Sequence, residues 1–226
     1  MLMIALAVAF VLSIGLIMWR MTVSDQRRTK TLRLIATEMG FRMVDDKTVY
    51  SFESPLFHVG NKGRNRMFNA MEGTVAGLRT VLFDLSYEYD QGGDDGNTTV
   101  THSVAAFSLP NTELPVFSIA RSNFNLRRAR NKISFEVSPE LSKRFIVIGN
   151  QQAAIRELLH PDFLINLVSA NQLERLVIEG AGPWLIVYKP GNKVSAEQWK
   201  SFLAETTHIA TTFTASCLAQ SALLAR

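Results

Sequence analysis

The sequence predicts an α+β fold: a single N-terminal transmembrane helix, then a mainly antiparallel sheet covered by helices, one of them long and C-terminal. Three observations predict it. Residues 1–19 form an apolar run without a charge. Residues 67–148 hold several segments in which apolar and polar side chains alternate with the period of a strand. Residues 195–224 place apolar side chains at helical spacing behind a polar start. Strands grouped together ahead of helices, rather than alternating with them, favour antiparallel pairing.

The first segment reads MLMIALAVAFVLSIGLIMW and is interrupted only by Ser13 and Gly15, both tolerated in membrane helices. At 1.5 Å per residue it spans about 28 Å, close to a bilayer's hydrocarbon thickness. Trp19 and Arg20 end it, an amphipathic ring and then a charge, as at a membrane interface. A cleaved signal peptide needs a basic start and a small-residue cleavage site. No Lys or Arg precedes this core, and Leu16, Ile17, Met18 and Trp19 are poor cleavage residues. The expected organisation is a transmembrane anchor over 1–20, a basic juxtamembrane helix over 21–40 and an α+β domain over 41–226.

Charge gives that anchor a direction. The chain has 24 Lys+Arg against 20 Asp+Glu, a net charge of +4. Five basic residues (Arg20, Arg27, Arg28, Lys30, Arg33) and one acid (Asp25) lie within residues 20–33 and account for the whole excess. Residues 34–226 are balanced. A basic stripe spread over a folded surface would point to nucleic acid; this local excess argues against that partner. By the positive-inside rule it places the C-terminal domain in the cytoplasm and the N-terminus outside. Cys217 is the only cysteine, which fits a reducing compartment and excludes intramolecular disulfides and Cys-based zinc sites.

The soluble part reads element by element. Ser24 is placed to cap a helix over 25–39 that stops at Gly40, with Leu32, Ile35 and Met39 as its apolar stripe. Residues 45–66 are irregular, with room for one short strand. Strands over 67–76 and 78–89 meet around Gly77 as a hairpin. In the second, Val81, Phe83, Leu85, Tyr87 and Tyr89 share one face; Thr80, Asp84, Ser86 and Glu88 share the other, where the apolar Leu82 stands between them. Further strands are expected over 99–109, 116–120, 133–137 and 145–148. A short helix is expected over 151–159, and Pro161 opens another. Segments 173–179 and 184–188 form a hairpin around Ala181-Gly182-Pro183. Ser195 and Gln198 read as a capping box for the last helix, whose Trp199, Phe202, Leu203, Ile209, Phe213, Cys217 and Leu224 recur at helical spacing. Its hydroxyl-rich C-terminal half lacks the sustained apolarity of a second span.

Little in the sequence carries chemistry. There is no phosphate-binding glycine loop, dinucleotide fingerprint, HExxH or GxSxG motif. His58, His102, His160 and His208 are scattered, without a pair at i and i+4. Asp90, Asp94, Asp95 and Asn97 form an acidic turn, but Gly92 and Gly93 stand where an EF-hand needs ligands. No metal or cofactor is expected. Asp84 and Glu88, with His102 on the following strand, are the residue types that general acid–base work uses. No nucleophile accompanies them, and ordinary cross-strand pairing explains them equally well. The segment RSNFNLRRARNK at 121–132 carries Arg121, Arg127, Arg128, Arg130 and Lys132 and no acid. Together with Arg27, Arg28, Lys30 and Arg33, these are the candidate contacts to anionic lipid head groups, each contributing about 1 kcal/mol near the surface.

The run GTVAGLRTVLFDLSY at 73–87 is followed by Phe135-Glu136-Val137, Arg144-Phe145-Ile146-Val147 and then His160-Pro161 before a helix. Over roughly residues 55–190 this pattern resembles a group of uncharacterised bacterial membrane-anchored proteins with a strand-rich domain behind apolar N-terminal helices. The resemblance implies the architecture and brings no catalytic residues. The expected function is that of a non-enzymatic binding or scaffold domain at the cytoplasmic face of the membrane. Its partners would be the bilayer and a protein, or a second copy engaged through the C-terminal helix. The second reading is a membrane-tethered enzyme using the Asp84/Glu88/His102 region.

Overall fold

The computed structural model describes residues 26–45, 52, 54, 65–90, 97–121, 131–134, 143–159 and 175–224, and Phe10, Leu12, Gly15, Leu16 and Trp19 of the first segment. Among these residues nine strands form one sheet: β1 (Arg42–Met43), β2 (Arg66–Val75), β3 (Leu78–Asp90), β4 (Asn97–Ser108), β5 (Leu114–Arg121), β6 (Lys132–Ile133), β7 (Phe145–Gly149), β8 (Val177–Gly182) and β9 (Trp184–Tyr188). Their order is β1-β2-β3-β4-β9-β8-β5-β7-β6, and every pair is antiparallel. Helix α1 covers residues 26–38. Helix α2 is Gln152–Leu158 and α3 is Trp199–Leu224, the latter entered through a 3₁₀ turn at Ala196–Gln198. The protein is therefore a mixed α+β fold with a large antiparallel sheet and a long C-terminal helix.

Register explains why one face of this sheet takes helices. A single row runs across all nine strands: Met43, Met71, Leu82, Ala105, Val187, Ile178, Ile119, Val147 and Ile133. Every member is apolar, and α1, α2 and α3 cover the row with Leu32, Ile35 and Ala36, with Ile155, and with Trp199, Phe202, Ile209 and Phe213. Phe117 of β5 stacks on Phe213 of α3 with ring centroids 5.9 Å apart. The opposite face carries a second cluster of Val81, Phe83, Leu85, Val104, Ala106 and Ile186. There Phe52 lies 5.6 Å from the Phe83 ring and 5.0 Å from the Trp184 ring, parallel to the first and edge-on to the second. Both faces of β3 are thus buried over residues 80–85, including the one that reads as polar in the sequence.

Turn chemistry sets the hairpins. Ala76 and Gly77 both have positive φ, 51° and 78°. That is the pattern of a two-residue turn whose twist matches the strands it joins. Gly182, at φ 56°, opens the turn between β8 and β9.

Several expectations change in detail. Helix α1 packs into the core of the domain, with Leu32 and Ala36 buried in the main cluster. The short strand β1 lies just ahead of the irregular segment. The capping box does not form: Ser195 caps the 3₁₀ turn without a side-chain bond to the backbone. Its hydroxyl bonds instead to Glu197, whose carboxyl is held below its ordinary value by its own backbone N–H and by Ser195. Among the described residues no helix is long and apolar enough to cross a membrane; the anchor expected over 1–20 falls almost wholly outside them. So do the acidic turn at 91–96, His58, and the helix expected after His160-Pro161.

Candidate functional site

Asp84 is the central residue of the thirteen-residue β3 and is fully buried. A buried carboxylate needs partners for its lone pairs, or it costs several kcal/mol. Four bonds supply them. Arg28 of α1 donates from Nε to Oδ2 and from Nη2 to Oδ1, both at 3.0 Å. Asn69 Nδ2 donates to Oδ2 at 3.0 Å, and Ser103 Oγ donates to Oδ1 at 2.7 Å. The network continues outward. Arg28 Nη1 donates to the Val194 carbonyl at 2.6 Å, the Val194 N–H donates to Ser103 Oγ at 2.9 Å, and Thr29 Oγ1 donates to Asn69 Oδ1 at 2.8 Å. Asn69 reaches inward because it sits at a break of register in β2, between Phe68 and Met71, with φ 53°. Five segments meet at this one carboxylate: α1, β2, β3, β4 and the loop before α3.

Beside this clasp lies a cleft of about 860 Å³. Its floor continues the sheet: Arg66, Ser86 and Thr101 stand opposite one another on β2, β3 and β4, with Phe68 in the next row. Thr29 and Arg33, one helical turn apart on α1, form one wall, and Lys193 of the loop before α3 forms another. Asp45 is the acid on its rim. The Arg66 guanidinium lies 6.0 Å and the Lys193 ammonium 5.4 Å from the Phe68 ring centroid, within cation–π range.

His102 belongs to the other face. It stands opposite Leu85, whereas Asp84 stands opposite Ser103, so the sheet separates the imidazole from the carboxylate. The Gly191 N–H donates to His102 Nδ1 at 2.7 Å, and Nε2 lies 2.9 Å from the Tyr87 hydroxyl. The first bond requires an unprotonated Nδ1, which leaves the ring proton on Nε2, directed at Tyr87. Burial depresses His102 to a pKa of about 4, partly offset by a hydrogen bond to the Lys189 backbone. Deeper on the same face, Glu179 accepts from Ser54 Oγ at 2.6 Å and from Tyr188 OH at 3.0 Å. Burial and the Glu179 carboxylate push Tyr188 well above its ordinary value.

The residues singled out in the sequence are therefore dispersed. Asp84 and His102 do not meet, and each is already saturated by its own neighbours. Glu88 lies on the Asp84 face opposite Thr99, partly exposed. Arg28 turns inward to Asp84, its side chain only 12% exposed; the lipid contact expected of it is replaced by this pairing. Arg27, Lys30 and Arg33 are exposed on α1, Arg121 and Lys132 on the far strands; Arg127, Arg128 and Arg130 lie outside the described residues. Burial pushes the Cys217 thiol up to about 11, so it is no thiolate nucleophile at neutral pH. Among the described residues no cluster of three or more His, Cys, Asp or Glu is placed to hold a metal. Arg66, Asn69, Ser103 and Lys193 were not foreseen. The available signal was Leu82: an apolar residue on the polar face of β3 implies that this face is covered.

A nine-stranded antiparallel sheet with its helices on one face and a long terminal helix can be matched to solved structures. The fold is shared with a mycobacterial transport factor. The crystal structure of the mycobacterial trehalose monomycolate transport factor A, TtfA, superimposes with a TM-score of 0.50 over 84% of this chain and 92% of the TtfA chain, at 15% identity. At that identity the likeness to TtfA is one of fold. No protein-family model matches the sequence, and no curated protein does.

Proposed function

We propose that the protein is a non-enzymatic binding or scaffold domain, held at the cytoplasmic face of a membrane by an anchor over residues 1–20. The observation that carries this reading is the Arg28–Asp84 clasp. One basic residue of the N-terminal cluster is spent inside the domain, fixing α1 across the sheet, while Arg27, Lys30 and Arg33 stay exposed on the same helix. That arrangement suits a domain held in one orientation beside an anionic surface, with its basic side toward the lipid. The separation of Asp84 from His102 supports the non-enzymatic side of the reading, because neither group is presented to a substrate.

The placement is tested by alkaline extraction of membranes and by protease added to intact spheroplasts. The full chain should stay in the pellet and the domain should be spared; release by alkali or digestion from outside overturns the placement. The enzymatic alternative is tested with Glu88→Gln, which sits on a partly exposed site. Partner capture by crosslinking in membranes should be unchanged in that variant, and loss of capture at an unchanged melting temperature would favour the enzyme.

A further inference from the structure

We propose that the cleft beside α1 is a binding site for a phosphate-bearing ligand. Three cations converge on it from three separate elements: Arg33 from α1, Arg66 from β2 and Lys193 from the loop before α3. Among the described residues Asp45 is the one acid on its lining, against these three cations. Among the described residues, neither Arg33 nor Arg66 enters an ion pair, in contrast to Arg28, Arg42 and Arg79, which do.

A basic cleft could be a solvated surface feature, and two observations argue for a ligand instead. The first is the floor. Ser86 and Thr101 place hydroxyl groups in the same row as Arg66, so donors that suit phosphate oxygens lie between the cations. The second is rigidity. Each wall is fixed from below by the Asp84 network. Arg33 lies on the helix that Arg28 clasps, and Lys193 precedes Val194, which is bonded through both its N–H and its carbonyl. The elements that carry the cations are thus fixed relative to one another by the fold, a preorganisation that lowers the cost of binding. At about 860 Å³ the cleft is within the range of small-molecule sites and larger than a bare phosphate needs. The ligand is therefore a phosphate ester with a polar body. A lipid head group and a soluble sugar or glycerol phosphate share that chemistry. Only the lipid source rests on the membrane placement proposed above.

The test uses the full chain in neutral detergent micelles, titrated with glycerol 1-phosphate and with inorganic phosphate, and in nanodiscs of phosphatidylcholine with and without phosphatidylglycerol. Glycerol 1-phosphate should bind with an affinity that falls steeply with salt. Arg66→Gln with Lys193→Gln should weaken it at least tenfold at an unchanged melting temperature. Arg156→Gln, an exposed cation on α2 outside the cleft, should leave it unaltered. Protection of the cleft in phosphatidylglycerol nanodiscs identifies a lipid source; binding in micelles without that protection identifies a soluble one. Absence of binding to every probe, or binding that the Arg66/Lys193 variant retains in full, overturns the proposal. Because the micelle titration needs no bilayer, a failed membrane placement leaves this result standing, and the reverse also holds.

Discussion

Asp84 and Arg28 share a bidentate bond in a site from which water is largely removed, and the two ends of that bond are unequal. Asp84 is fully buried, while Arg28 keeps 12% of its side chain exposed. Removing the carboxylate leaves a mostly desolvated guanidinium and two stranded donors, Asn69 Nδ2 and Ser103 Oγ. Asp84→Ala should therefore cost about 3–5 kcal/mol in urea unfolding. The double change Arg28→Met with Asp84→Leu should cost clearly less, because it strands no charge. His102 acts through pH. Its folded pKa of about 4 lies below the ordinary histidine value near 6.5. The unfolded chain therefore binds the proton first. The contribution is complete above about pH 6.5, is lost as pH falls toward 4, and changes no further below that. The loss should approach about 3 kcal/mol, and His102→Gln should flatten the stability curve over that window. Neither residue's role could be read from the sequence. A carboxylate at the middle of an alternating strand looks like a solvated one, until it is known that α1, more than fifty residues upstream, lies across it.

At the scale of elements, the local signals read correctly and the long-range ones did not. β3 was legible because its alternation runs through the whole strand, and α3 because aromatic residues mark its buried side for four turns. The hairpins at Gly77 and Gly182 were legible because turn residues act locally. The sheet order was not. β4 pairs with β9 and β5 with β8, so pairing partners lie about eighty and sixty residues apart along the chain, and no local pattern encodes them. The cleft was invisible for the same reason: Arg33, Arg66 and Lys193 are neighbours only through that order. Close packing between distant strands also sets what they tolerate. A Cβ at Gly180 of β8 would fall on the Phe117 ring of β5. That ring is already stacked on Phe213 of α3 and cannot retreat. Gly180→Ala should lower stability by about 1–3 kcal/mol, read as a shift in the unfolding midpoint at constant slope.

For the molecule as a whole, the two faces of the sheet play different parts. One carries the helices, the clasp and the basic cleft; the other carries the aromatic cluster with His102 and Glu179. The segment 191–194 joins them, since Gly191 bonds to His102 on one side and Val194 bonds to Ser103 and Arg28 on the other. The charge excess that the sequence shows within residues 20–33 divides accordingly: Arg28 becomes internal structure, while Arg27, Lys30 and Arg33 remain surface. This division also decides how the domain bears load. A pull on the chain ahead of α1 reaches Arg28 within the helix's first turn and passes through its guanidinium into the midpoint of the longest strand. β2 and β4 flank that strand along most of its length. Tension thus enters at the centre of the sheet and bypasses the short edge strand β1, where peeling would begin. Such a pull is gripped at the middle of the sheet and shared by three strands at once.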